Sequence, residues 1–217
     1  MSIGEEVILV VDFGSQYAHL IARRIRELKV YSEIVFPDIS IAELKKLSPK
    51  GIVLSGGPRS VYEKDSPLLN DEVFDFIVDN DIPVLGICYG HQMIALKMGG
   101  EVKGEKKKEY GIATVDILDS EGIFYGLENK ETVWMSHGDQ VSKIPLGFVI
   151  TSKTDTCAVA AFKSASKKIY GLQWHPEVVH TKNGKQILSN FVYNVCNCKG
   201  TWDLSDFIEE NIKKIKN

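Results

Sequence analysis

Val7-Ile8-Leu9-Val10-Val11 is an unbroken apolar, β-branched run, the pattern of a strand buried on both faces of a parallel sheet. At Asp12-Phe13-Gly14-Ser15 it ends, and a helical period takes over. Ala18, Leu20, Ile21, Ile25 and Leu28 share one stripe while Arg23, Arg24 and Glu27 share the other, which predicts a helix over 16–28. The alternation then repeats. Residues 32–36 read as a strand, 41–47 as a short helix after Pro37, and 51–55 as a strand running into Gly56-Gly57-Pro58. A helix over 71–80, with Val73, Phe74, Ile77 and Val78 inward, leads to the apolar strand Val84-Leu85-Gly86-Ile87. The helix formers Met93 to Met98 follow and are stopped by Gly99-Gly100. Strand–helix alternation of this kind makes a parallel sheet with helices on both faces the default.

After Gly100 the period changes. Residues 111–118, 131–135, 148–154, 158–162 and 169–173 are strand-like with few helices between them, so mixed or antiparallel strands are added to the parallel core. A last core helix fits 184–197, with Ile187, Leu188, Phe191, Val192 and Val195 apolar. Beyond the break at Lys199-Gly200, Asp203-Leu204-Ser205 can cap a terminal helix carrying Leu204, Ile208, Ile212 and Ile215 on one stripe. The expectation is an α/β chain with an open, mostly parallel, twisted sheet, helices on both faces and added antiparallel strands. Residues 1–198 form one domain; 199–217 form a helical extension or the start of a linker to a further domain.

Composition narrows the partners. The 217 residues are 44% hydrophobic and 25% charged, enough to bury a real core. A net charge of −3 argues against a nucleic-acid or membrane-surface protein. The basic stretch 103–108 is short and interrupted by Glu105, and is expected to be a solvated loop. The cysteines at 88, 157, 196 and 198 make no disulfide ladder, and Cys196-x-Cys198 has no second ligand pair for zinc. Reduced thiols in a cytoplasmic chain without a bound metal are the simplest account. No signal peptide and no apolar run of membrane-spanning length is evident.

Chemistry concentrates at strand ends. Gly86-x-Cys88-x-Gly90 is the cysteine version of a nucleophile elbow, with Cys88 on a tight turn at a helix N-terminus, where partial positive charge favours thiolate. A structural cysteine ending a buried strand is the plainer alternative. Of the histidines at 19, 91, 137, 175 and 180, His175 is the best base: it follows the apolar strand 169–173, and Pro176 holds it extended. Residues two apart in extended chain point the same way, so Glu177 can orient the imidazole. Ser55-Gly56-Gly57-Pro58 offers free amides for an oxyanion or a phosphate, but neither G-x-G-x-x-G nor a Walker sequence is present. The amides of Gly57 and Tyr89 together make the preferred oxyanion hole. Ser136-His137-Gly138-Asp139 reads as a polar turn that can line the same pocket.

Gly86-Ile-Cys-Tyr-Gly-His-Gln92, Ser55-Gly-Gly-Pro58 and His175-Pro-Glu177 together resemble the class I glutamine amidotransferases, colinear from about Val7 to Val195. Asp12-Phe-Gly-Ser-Gln-Tyr17, Asp155-Thr-Cys-Ala-Val-Ala-Ala-Phe162 and Gln173-Trp-His-Pro-Glu-Val-Val-His180 are similar to the branch that supplies ammonia for GMP synthesis. The resemblance implies a flavodoxin-like core and a glutaminase. In it Cys88 forms a γ-glutamyl thioester, His175 is the acid/base and Glu177 orients it. Gly57 and Tyr89 hold the oxyanion, and Gln92 with Ser136, His137, Gly138 and Asp139 binds L-glutamine. It also implies that ATP and Mg²⁺ act in an ATP-pyrophosphatase (synthetase) partner, with no cofactor in this chain, and that hydrolysis is slow without that partner. An amidotransferase serving a different acceptor, a cysteine peptidase and a catalytically silent regulatory module are the other readings.

Overall fold

The computed structural model describes residues 6–204, the side chains of 105–107 excepted; beyond Leu204 the expected terminal helix lies outside the described residues. Its first half follows the hydrophobic pattern. In chain order come β1 (Val7–Val11), α1 (Ala18–Glu27), β2 (Tyr31–Val35), α2 (Ile41–Leu47), β3 (Gly51–Leu54), α3 (Asp71–Asp79), β4 (Val84–Ile87) and α4 (Tyr89–Lys97). Local signals set several ends. Ser40 and Glu43 form a reciprocal capping box on α2, and the Asn70 side chain caps α3 by accepting from the Glu72 amide.

The second half comprises β5 (Glu101–Ile117), β6 (Lys130–Lys143), β7 (Phe148–Lys153), β8 (Ala161–Ser164), β9 (Ile169–Leu172) and α5 (Gly184–Ser189). All the strands join one nine-stranded sheet in the order β2-β1-β3-β4-β9-β8-β7-β5-β6. Strands β2, β1, β3, β4 and β9 pair in parallel, and the pairings from β9 outward through β8, β7, β5 and β6 are antiparallel. The mixed sheet expected from the change of period is therefore present.

Alternation along the strands divides the core. Ile8 and Val10 of β1 face α1 and the C-terminal helix, joining Ile21, Ile25, Leu188 and Phe191. Val7, Leu9 and Val11 face the other way, toward Leu44, Phe74, Ile77 and Ile94 of α2, α3 and α4. Burying each such side chain contributes about 1.5–3 kcal/mol, so the parallel half is held from both faces.

Three boundaries are corrected. The stretch 103–108 is not a loop but lies inside β5, and Ser136–Asp139 is not a turn but lies inside β6. The two strands form a long antiparallel ribbon in which Asp139 opposes Gly104 and His137 opposes Glu109, with a register shift between those pairs. Cross-strand pairing supplies the order there, and a lysine-rich stretch without alternation carries no sign of it. The last core helix ends two residues early, at Val195, and its second half (Asn190–Val195) is π-wound; the Cys196 amide reaches back to the Phe191 carbonyl at 2.9 Å.

Candidate active site

The parallel strands bring their C-terminal ends together where α/β sheets place their sites. Strand β4 stops at Ile87 and α4 starts at Tyr89, so Cys88 alone makes the turn, with φ 52° and ψ −99°. This is the mirror image of ordinary extended backbone, which a side chain with a Cβ rarely enters. Hydrogen bonds over-determine it. The Cys88 amide donates to the Leu172 carbonyl (2.7 Å), Gln92 N to Cys88 O (3.1 Å), and Gly90 N to Ser55 O (3.1 Å). The flanking glycines serve close approach rather than positive φ. A methyl group on Gly86 would stand 2.6 Å from the Gly90 backbone, and one on Gly90 would enter the Leu54 carbonyl. Tyr89 opens the helix, so its amide has no partner within it.

His175 lies just past β9. Its amide donates to Trp134 O (3.1 Å), and its carbonyl accepts from Thr181 Oγ1 (2.6 Å). His175 and Glu177 are 4% and 1% exposed, and His175 Nδ1 bonds Glu177 Oε1 at 2.7 Å. The carboxylate only accepts, so Nδ1 is the donor and Nε2 is left for other work. Arg24 Nε anchors the Glu177 backbone carbonyl at 3.0 Å. Burial alone would lower the basicity of His175. Hydrogen bonds with Cys88 and Glu177, and their charges, outweigh it and raise the imidazole to about 10. Gly56 lies against both His175 and Cys88: a methyl group on it would stand 3.2 Å from His175 Cε1 and 3.9 Å from the Cys88 Cβ.

A cavity of about 610 Å³ opens in front of Cys88. Gly57, Tyr89, Gln92 and Ser136–Asp139 line it, so eight of the ten residues singled out from sequence meet at one cavity, Cys88 among them. His175, beside Cys88, and Glu177, bonded to His175, do not line the cavity. Gly57 sits on the Tyr89 ring, where an added methyl group would fall 2.9 Å from Cγ, so both amides are carried by one packed unit. Gln92 Nε2 is committed to Asp139 O (2.7 Å) and Gln173 Oε1 (3.1 Å). The Asp139 carboxylate accepts from Ser60 Oγ and from Tyr62 Oη (3.0 Å). His137 is turned to Glu109 and to the Asp139 carbonyl, and burial holds its basicity down against the pull of Glu109.

Sequence reasoning missed Gln173. It is fully buried, its Nε2 donates to Cys88 Sγ (3.7 Å), and Sγ in turn faces Ser136 O (3.7 Å). A glutamine at the end of an apolar strand was the only signal. Arg59, Glu63 and Lys108 on the cavity wall were missed as well; together they put charges of both signs there. Chemically, the arrangement is a thiol on a strained elbow, an imidazole fixed by a buried carboxylate, and free amides opposite. That is the equipment for acyl transfer through a thioester. Among the described residues no helix is long and apolar enough to cross a membrane.

Residues 9–195 match the family model described as glutamine amidotransferase class-I. A GMP synthase (glutamine-hydrolyzing) of Clostridium botulinum is 50% identical over 212 residues, covering 98% of this chain and 41% of the relative. One from Clostridium tetani is 48% identical with the same coverage. The chain thus spans about two-fifths of the length of the curated relatives it matches. A solved structure from Thermoplasma acidophilum, described as a candidate GMP synthase subunit, superposes with a TM-score of 0.81 at 39% identity, covering 89% of this chain and 94% of that one. A glutamine amidotransferase from Thermotoga maritima, at 19% identity and a TM-score of 0.73 over 89% of this chain and 99% of that one, shares the fold. With the family model spanning most of its length, this chain belongs to the class-I glutamine amidotransferase family.

Proposed function

We propose that this chain is the glutaminase part of a glutamine-hydrolysing GMP synthase, working in the cytoplasm. Cys88, its thiol proton passed to His175, attacks the side-chain amide carbon of L-glutamine as a thiolate, and the tetrahedral oxyanion is held by the amides of Gly57 and Tyr89. His175, oriented by Glu177, protonates the departing nitrogen, so ammonia leaves and a γ-glutamyl thioester remains on Cys88. His175 then takes a proton from water, which cleaves the thioester to glutamate and restores the thiol. Gln92 and the segment Ser136, His137, Gly138 and Asp139 hold the amino-acid head group. They do so through their placement and the strand backbone, since the side-chain nitrogens of Gln92 and His137 are already engaged.

The ammonia passes to an ATP-pyrophosphatase partner, which uses ATP and Mg²⁺ to activate xanthosine monophosphate. The names of the relatives support that acceptor. The observation that carries the glutaminase reading is Cys88 at a positive φ beside an imidazole whose Nδ1 lies 2.7 Å from a fully buried carboxylate. Glutamate release is to be measured with the chain alone, then with the synthetase partner, ATP, Mg²⁺ and xanthosine monophosphate, with Cys88→Ala as control. Stimulation by the partner that is lost in Cys88→Ala is expected. Cys88-independent glutamate, or none in any condition, overturns the reading.

A further inference from the structure

Glu109 in β5, His137 in β6 and Cys157 in the turn between β7 and β8 converge beside the cavity, with one ligating atom from each within 4.8 Å of the others. The orientations are specific. His137 Nδ1 lies 3.0 Å from the carbonyl oxygen of Asp139, a group that only accepts, so Nδ1 carries the ring proton. Nε2 is thereby turned, lone pair foremost, onto Glu109 Oε2 at 2.9 Å. Two acceptors in contact call for a cation between them, either a proton or a metal. The other carboxylate oxygen is fixed by the hydroxyls of Thr154 (3.0 Å) and Thr156. Thr154 Oγ1 also accepts from the Cys157 amide at 2.8 Å, so the thiol rides on the scaffold that positions the carboxylate.

A histidine that donates its second nitrogen to a backbone carbonyl, beside a carboxylate that is itself hydrogen-bonded, is how metal ligands are held in register by their surroundings. We propose that Glu109, His137 and Cys157 form a buried zinc site that shares His137 with the lining of the cavity, a water completing the fourth position. Thiolate, imidazole and carboxylate together suit Zn²⁺, whereas Mg²⁺ and Ca²⁺ take oxygen ligands. Thiolate and carboxylate also balance the double charge, the thiol proton being released to solvent on binding. Tetrahedral zinc with bonds of about 2.0–2.3 Å places its ligand atoms roughly 3.3–3.7 Å apart. The His137–Glu109 contact opens by a few tenths of an ångström and the Cys157 thiol closes in from no more than 4.8 Å, which are side-chain adjustments. The ion would tie β5, β6 and the 154–157 turn together. The ligands are scattered through the chain, so no spacing motif announces them.

The test is metal binding by the chain after chelator treatment: Co²⁺ titration, then displacement by Zn²⁺. One equivalent of Co²⁺ with a thiolate-to-cobalt charge-transfer band is expected, and Zn²⁺ should abolish the band. Cys157→Ser should lose it, and Glu109→Gln should weaken affinity at least about 10-fold. Cys88→Ala and the double variant Cys196→Ala with Cys198→Ala should keep it, which separates this site from the other thiols. If Cys157→Ser does not fold, Glu109→Gln decides alone: zinc should raise the melting temperature of the parent chain more than that of the variant, and equal shifts would overturn the proposal. Absence of a bound equivalent, a band that survives Cys157→Ser, or one that disappears in Cys88→Ala overturns the proposal.

Discussion

The strain at Cys88 can be weighed by comparing Cys88→Gly with Cys88→Ala. Both remove the thiol, so differences between them report the Cβ and the backbone. A side chain held at φ 52° and ψ −99° costs about 1–3 kcal/mol, which glycine escapes. Against this, glycine costs about 0.5–1 kcal/mol in chain entropy relative to alanine, and losing a buried methyl group costs about 0.8 kcal/mol. Without strain, Cys88→Gly would therefore fall roughly 1.5 kcal/mol below Cys88→Ala. With it, glycine should fall between about 0.5 kcal/mol behind alanine and about 1.5 kcal/mol ahead, some 2–4 °C in melting temperature per kcal/mol for a chain of this size. Urea unfolding of both variants, with equal denaturant slopes, measures the difference directly. A glycine deficit of about 1.5 kcal/mol or more would refute stored strain at the elbow.

Two further perturbations address the titrating groups. His91 is buried on α4, stacked on Phe162 at 4.4 Å, and burial, aided by the nearby His137, lowers it to about 3. Because the folded value lies below the unfolded one of about 6.5, its contribution is complete above pH 6.5 and is lost as pH falls toward 3, by up to about 1.4 kcal/mol per unit. His91→Leu should flatten the acid limb of a melting-temperature profile, and parallel profiles for variant and parent would remove His91 as the cause. Glu177→Gln deletes the charge and the charge-assisted bond that help hold His175 at about 10, so the His175 titration should move down on histidine NMR. Partner-stimulated glutaminase activity should fall about 100-fold or more. An unmoved titration together with unchanged activity would exclude Glu177 as the orienting group.

Much of the site was legible because its signals are local. The elbow compresses strand, turn and helix into Gly86 to Gln92, where the close approach of α4 to β3 and β4 demands glycine on both sides of Cys88. His175-Pro176-Glu177 is likewise local: extended backbone puts residues two apart on one side, and the 2.7 Å contact follows. What failed was non-local. The ribbon of β5 and β6 is ordered by pairing between residues far apart in the chain, and a lysine-rich stretch shows no period of its own, so 103–108 and Ser136–Asp139 read as loop and turn. Gln173 was overlooked for the same reason, since its partners Cys88 and Gln92 lie more than eighty residues back.

The sequence by itself determined the alternation of strands and helices, the place where a cysteine sits on a strained turn, and the pairing of His175 with Glu177, because backbone sterics and hydrophobic period act over a few residues. Only the tertiary structure decided that β9 slots beside β4 and so sets His175 against Cys88. It alone decided that β6 supplies the far wall of the cavity, and that Glu109, His137 and Cys157 meet. Those contacts depend on strand order and register across the sheet, which are chosen by burial of the whole core rather than by any one segment.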